Sequence, residues 1–180
     1  AESMPFSDQS FDAVVSQFGL MFCEDRQQAV REMLRVLTAE GRLAVAVWDA
    51  LETMPAYAAE VALLERLAGR PAADALRAPF VLGNRDELSR MFRNAGAASV
   101  LVTTHEGTAR FPSVRAMVEA DLRGWLPAMR VLLNEEQIGR VLTEAEAELG
   151  KHVGPNRRVT FAVRAHVVAA RRLPAWDVGR

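Results

Sequence analysis

The chain holds a single cysteine, Cys23. No internal disulfide can form, and the sequence suits a reducing compartment, which sets the expectation of a cytoplasmic protein. With no histidine near it in sequence, Cys23 reads as a small packing residue and not as a nucleophile. No apolar run approaches the ~20 residues that a membrane span needs. Acid and base nearly cancel at a net charge of −1, so no field of one sign is available to recruit nucleic acid or an anionic membrane. RRVTFAVRAHVVAARR is locally basic, but its arginines flank a strand pattern and its aromatics are too few for a stacking platform. The three histidines form no pair at helical or ribbon spacing with a carboxylate, so no metal site is expected. G-x-S-x-G and the phosphate-binding loop are both missing, which removes support for hydrolase and kinase readings. No two glycines stand two apart, so there is no G-x-G.

What is present is a soluble globular composition, 50% apolar and 25% charged, in a length that suits one domain with a sizeable core. Its clearest stretch is residues 1–49. Phe11 to Gln17 and Arg42 to Trp48 are short valine-containing apolar runs, each bounded as a strand covered on both faces should be. Between them Asp25 can cap a helix, with Gln28 reaching back reciprocally. Ala29, Val30, Met33, Leu34 and Leu37 form its apolar stripe, while Arg31, Glu32 and Arg35 face away. Gly41 stands where a left-handed helix end would fall. Strand, helix and strand in this length make a right-handed parallel βαβ unit, and ligands of such sheets bind at the carboxyl ends of the strands. Those ends are Ser16 to Leu20 and Val47 to Leu51.

Beyond Asp49 the pattern turns helical. Pro55 suits a first helical turn, Tyr57, Val61, Leu64 and Leu67 repeat at helical spacing up to Gly69, and Ala72 to Ala78 make a shorter helix. Asn84 caps a helix running to Arg93. A strand follows from Ala98 to Thr104, with an extension toward Phe111. Ser113 caps a further helix, Trp125, Leu126 and Pro127 lead into a second apolar stretch, and Glu135 to Leu149 is amphipathic. Arg158 to Arg172 reads as the last strand, with Val159, Phe161, Val163, Ala165 and Val167 on one face. The tail from Leu173 reads as frayed.

AESMPF, FDAVVSQFGL and REMLRVLTAEGRLAVAVW, in this order and spacing, resemble the central half of class I S-adenosylmethionine-dependent methyltransferases of the ubiquinone/menaquinone-biosynthesis type. The likeness covers residues 1–49 well and the remainder loosely. It implies an α/β, Rossmann-like methyltransferase sheet, present in part, with helices on both faces. Its strands would be the family's fourth to seventh in the order four, five, seven, six, the last one antiparallel. Residues 1–180 would be the C-terminal part of one methyltransferase domain, with 50–84 a helical insertion and candidate lid over the cofactor site, and 113–150 a helical segment before the last strand. Two departures stand out. Thr38, Ala39, Glu40 and Gly41 replace the family's Pro-Gly-Gly turn, and its glycine-rich cofactor loop is missing, as is the acid expected on the ribose.

The resemblance further implies methyl transfer from S-adenosylmethionine to a small-molecule acceptor, by a chain that without its glycine-rich loop is not expected to be active alone. Ala1 and Glu2, with Ser3 beside them, would border the adenine, and Gln17 and Phe18 the methionine part. Asp49, Tyr57 and Trp125 are acceptor-side candidates. Because the sulfonium is already an activated leaving group, the enzyme mainly supplies alignment and a dry pocket. A base is needed only where the acceptor loses a proton. Asp49 could serve as that base or cap the following loop, and His105, His152 and His166 read either as bases or as hydrogen-bonded structural residues. No catalytic residue is assigned. A noncatalytic interaction or dimerisation module on the same scaffold is the second reading. The first strand, left as an unblocked edge, sets the expectation of a homodimer.

Overall fold

The computed structural model describes residues 1–172; the expected fraying from Leu173 lies outside the described residues. Asp25 caps the first helix, α1 (Arg26–Arg35), by accepting the Gln28 backbone N–H at 2.8 Å. The reciprocal half of the cap does not form, because the Gln28 side-chain amide points instead to the Glu2 carbonyl at 3.5 Å. α1 joins β1 (Phe11–Gln17) to β2 (Leu37–Trp48), and the two strands pair in parallel.

β2 begins five residues earlier than the sequence pattern indicates. The helix stops at Arg35, Val36 keeps a right-handed conformation, and Glu40 takes the positive φ of +63° that Gly41 was expected to take. Gly41 is needed for a different reason: a Cβ there would sit 2.9 Å from the Thr38 carbonyl oxygen and 3.0 Å from Leu37. The register slips between Phe11 and Ala13, and the bulge absorbs Thr38 to Gly41.

The later elements are α2 (Pro55–Ala68), with proline in its first turn, α3 (Arg70–Arg77), α4 (Arg85–Asn94) and β3 (Ala97–Phe111). They continue with α5 (Val114–Ala120), a π-helical turn (Asp121–Trp125), α6 (Leu126–Ala128), α7 (Glu135–Glu148) and β4 (Val159–Arg172). Asn84 and Ser113 cap α4 and α5 as expected. Asn134 and Gln137 close a reciprocal capping box on α7 that the sequence reading passed over. The sheet order is β1-β2-β4-β3 with β4 antiparallel to β2, which is the order four, five, seven, six.

The chain forms two compact units. The sheet unit comprises Ala1–Ala50, Pro79–His105 and the described residues from Ala165 onward; the helical unit comprises Leu51–Ala78 and Glu106–Arg164. In the sheet unit Leu43, Val45 and Val47 on β2, with Val168 and Ala170 on β4, are buried in a cluster with α1 and α4 side chains such as Val30, Met33, Leu88 and Phe92. The opposite face is different. Val15, Ala44 and Ala169 align in register and line an open trough of about 500 Å³ with Ala13 and Leu101. Val15 is 75% exposed and Leu101 58%, so β1 is not the strand covered on both faces that its valines suggested. It is also the end strand of the sheet among the described residues.

β4 departs from the expected single apolar face. Val159 and Phe161 are buried in the helical unit's core, whereas His166, Val168 and Ala170 are the buried residues within the sheet unit. The buried parity changes along the strand, and Ala165 and Val167 are only half-buried.

Candidate functional site at the strand ends

Parallel pairing places the carboxyl ends of β1 and β2 side by side. Gln17, the last residue of β1, is exposed and pairs with Ala46. Phe18 then leaves the strand with φ +54°, a left-handed conformation uncommon for a bulky residue, while its N–H donates to the Ala46 carbonyl at 2.9 Å. That turn lays the Phe18 ring on Trp48, centroids 4.2 Å apart and 13° from parallel. A non-glycine residue held at positive φ at a strand's ligand-binding end is where strain associated with function tends to collect.

The N-terminal segment starts at the same end of the unit and runs as a strap along α1 toward the start of β1. The Glu2 carboxylate accepts the Glu24 N–H at 2.7 Å, which ties it to the loop between β1 and α1. Further along, the Met4 N–H donates to Glu32 at 2.8 Å, and Arg35 donates to the carbonyls of Phe6 (2.8 Å) and Met4 (3.1 Å) and to Asp8 (2.7 Å) and Glu32 (2.6 Å). Glu32, read from sequence as solvent-facing, is buried. The Arg35 guanidinium first, and the Met4 N–H second, hold its carboxyl down at about 2, and Arg35 is held above its ordinary value by the same pair and by Asp8. Ala1 is exposed at the head of this strap. The structure therefore gathers Glu2, Gln17 and Phe18 around one loop, and adds Trp48, which the sequence reading placed only at a strand end.

Asp49 points inward. Its Oδ1 accepts the Ala50 N–H at 2.7 Å and lies 3.1 Å from Nε2 of His166. That nitrogen is also 2.9 Å from the Gly83 carbonyl, while Nδ1 meets the Thr104 hydroxyl at 2.9 Å. Both partners of Nε2 are acceptors, so Nε2 carries a proton. The network pins the end of β2 to residues 83 and 104 from a histidine only 3% exposed. Of the readings left open for Asp49 and His166, loop capping and structural hydrogen bonding describe these contacts. His105 pairs with Thr103 at 3.0 Å. His152 stacks edge-on against Phe161, and burial, with Lys151 adding to it, lowers its pKa. Among the described residues no group of three or more His, Cys, Asp or Glu could hold a metal ion, and no helix is long and apolar enough to cross a membrane.

The two remaining candidates are in the helical unit. Tyr57 packs edge-on against Phe161, centroids 5.4 Å apart, and the Trp125 indole N–H donates to the Ala75 carbonyl at 2.9 Å. Beside Tyr57 lies something the sequence reading missed. Glu60 is fully buried and faces Asp121. Burial first and the neighbouring Asp121 second raise its pKa well above the carboxylate range, and burial lifts Asp121 to about 6.

Residues 1–45 match the family model described as "Methyltransferase domain". The segment is 56% identical over 45 residues to the ubiquinone/menaquinone biosynthesis C-methyltransferase of Hahella chejuensis, covering 25% of this chain and 18% of that protein. It is 42% identical over 48 residues to an uncharacterized protein of Mycobacterium tuberculosis, covering 27% and 18%. Among solved structures, a Bacillus halodurans protein described as a candidate methyltransferase superposes over 96% of this chain and 75% of its own, with TM-score 0.55 and 18% identity. The chain shares the Rossmann-like α/β fold of that structure. The YcgJ protein of Bacillus subtilis superposes over 97% and 69%, also with TM-score 0.55, at 17% identity. The similarity to the curated methyltransferase thus spans about a fifth of that protein's length, and it is confined to the βαβ unit that carries Gln17, Phe18 and the α1 strap.

Proposed function

We propose that this chain belongs to an enzyme that transfers a methyl group from S-adenosylmethionine to a small-molecule acceptor. The observation that carries the reading is the coincidence of the matched segment, residues 1–45, with the strained Phe18 turn at the carboxyl ends of two parallel strands. On this reading Ala1 and Glu2 border the adenine, and Gln17 and Phe18 the methionine part. The helical unit takes the acceptor, with residues 50–84 as lid and Tyr57 and Trp125 as acceptor contacts. Asp49, engaged by His166 and Ala50, contributes by fixing the end of β2.

The chain has no G-x-G, and so lacks the bare backbone that would bring a cofactor against a helix N-terminus. Its affinity for S-adenosylhomocysteine is therefore expected to be weak, with a dissociation constant above ~100 µM, a binding free energy of less than about 5.5 kcal/mol. Saturation-transfer NMR at millimolar ligand checks this. Transfer to adenine and methionine protons that is lost in Phe18→Ala is the expected result. A low-micromolar constant by calorimetry would show that the glycine loop is dispensable, and no transfer at all would leave the second reading.

That second reading, a noncatalytic dimerisation module, is favoured by the end strand. β1 contains neither proline nor lysine, its far edge has no partner among the described residues, and Val15 on it is exposed, as is Leu101 on β3 across the same open trough. Such an edge is a template for a second copy. A homodimer or larger association is expected in sedimentation equilibrium, weakened by Val15→Lys. A monomer at high micromolar concentration would remove the dimerisation reading.

A further inference from the structure

Glu60 is the one buried carboxylate in the helical unit whose two oxygens both lack a hydrogen-bond donor among the described residues. Leaving a buried carboxylate without a donor is costly, and native structures rarely do so without a reason. Asp121 supplies part of the answer, since a protonated Glu60 can donate to it. Two carboxyls sharing one proton still leave one negative charge, and no cationic side chain among the described residues acts on either of them.

The cations nearest in sequence are committed elsewhere. Arg66 is paired with Glu144 and Glu148. Arg123 is held by Glu119 at 3.0 Å and by both oxygens of Glu135 at 2.8 Å. The backbone under Asp121 is also irregular for a definable reason. Pro127 has no N–H to give the Arg123 carbonyl, so the ladder shifts and the Leu126 N–H reaches five residues back to Asp121. Such π turns are enriched at functional sites. Asp121 is half-buried where Glu60 is fully buried, so the pair has a solvent side. Tyr57 stands one helical turn before Glu60 and Trp125 one turn after Asp121.

We propose that Glu60 and Asp121 form a binding site for a small organic ammonium ion, which supplies the positive charge and the N–H donors that the described residues do not give this pair. The chemistry selects an amine over a metal ion. Two carboxyls are too few for the oxygen cage that calcium or magnesium takes, and no third acidic, histidine or cysteine ligand completes a set among the described residues. An ammonium needs only hydrogen-bond acceptors and benefits from aromatic faces such as that of Tyr57. The proposal does not depend on methyl transfer; an amine could be acceptor or effector.

Thermal unfolding of the full 180-residue chain near pH 7 tests it, with n-butylammonium chloride as probe. n-Butanol plus sodium chloride at equal ionic strength is the control. The expected result is a melting temperature that rises with butylammonium and not with the control, and an apparent affinity about tenfold weaker in Glu60→Gln. Asp121→Asn, at the half-buried position, carries the same expectation should Glu60→Gln lose its circular dichroism. Equal shifts from amine and alcohol, or an unchanged amine response in the folded variants, overturn the site.

Discussion

Gly83→Ala is expected to unfold the sheet unit or to cost it upward of about 4 kcal/mol, the range reserved for severe overpacking of a site that cannot relax. A Cβ at position 83 would lie 2.1 Å from the Ala50 nitrogen, 2.2 Å from the Ala50 Cα and 2.6 Å from the Asp49 carbonyl carbon. All three are backbone atoms, so no side-chain rotation relieves the clash. The chain at 83 must move away from the end of β2, and three things move with it. The Gly83 carbonyl leaves His166, the buried Leu82 leaves the core, and Asn84 shifts at the cap of α4. Two other glycines make the controls. Gly139 lies inside α7 with nothing within 4 Å of its virtual Cβ, so Gly139→Ala should stabilise by up to about 1 kcal/mol. Gly96 has open space but φ +92°, so Gly96→Ala should cost about 1 kcal/mol from backbone conformation alone. Urea unfolding of the three variants gives the ranking. Gly83→Ala within about 1 kcal/mol of the parent would show that β2 and residue 83 do not approach each other this closely.

What was legible in the sequence follows from which interactions are local. The βαβ unit could be read because Asp25 reports the start of α1 within three residues and the 3.6-residue period reports its buried face. The end of that helix could not, because glycine is an ambiguous signal. Gly41 looks like a left-handed cap, yet it is required by close approach to Thr38 and Leu37 while Glu40 takes the positive φ. Strand order came only through family resemblance, since β2 and β4 pair Arg42 with Arg171 across most of the chain and no local pattern encodes an antiparallel insertion. Glu32 was assigned to solvent on residue type alone, although the positions around it are buried. Its partners, Met4 and Arg35, include one 28 residues away. Glu60 had a signal that residue type concealed. It lies three after Tyr57 and four before Leu64, on the same helical stripe, so periodicity placed it inward while its charge argued for solvent.

That conflict has a measurable consequence in pH. The helical unit is expected to lose stability as pH rises from about 4 toward 8, the reverse of a protein whose carboxylates are salt-bridged. For an acid whose pKa is raised on folding, the folded state keeps a proton that the unfolded chain releases, so its contribution is fully present below the unfolded pKa and lost as pH climbs through the folded one. Asp121 moves from 3.8 to about 6, and Glu60 is pushed well above 4.5 by burial and by Asp121. At 1.36 kcal/mol per unit, the pair accounts for roughly 3 kcal/mol or more across that window. Tyr57, the other titratable group beside them, is driven above its ordinary value chiefly by burial, then by Asp121 and Glu60, so it stays neutral throughout. Glu32 and Glu135 act in the opposite direction, since arginines hold both below the ordinary range; their effect belongs to pH below the ordinary carboxylate range. The discriminating variant is Glu60→Gln, which keeps the shape and removes the charge. It should flatten the decline between pH 5 and 8 and raise stability at pH 8, while leaving stability at pH 4 close to the parent. A parent whose unfolding free energy rises from pH 5 to 8, with Glu60→Gln following it in parallel, would mean that Glu60 is ionised in the fold and has a counter-ion there.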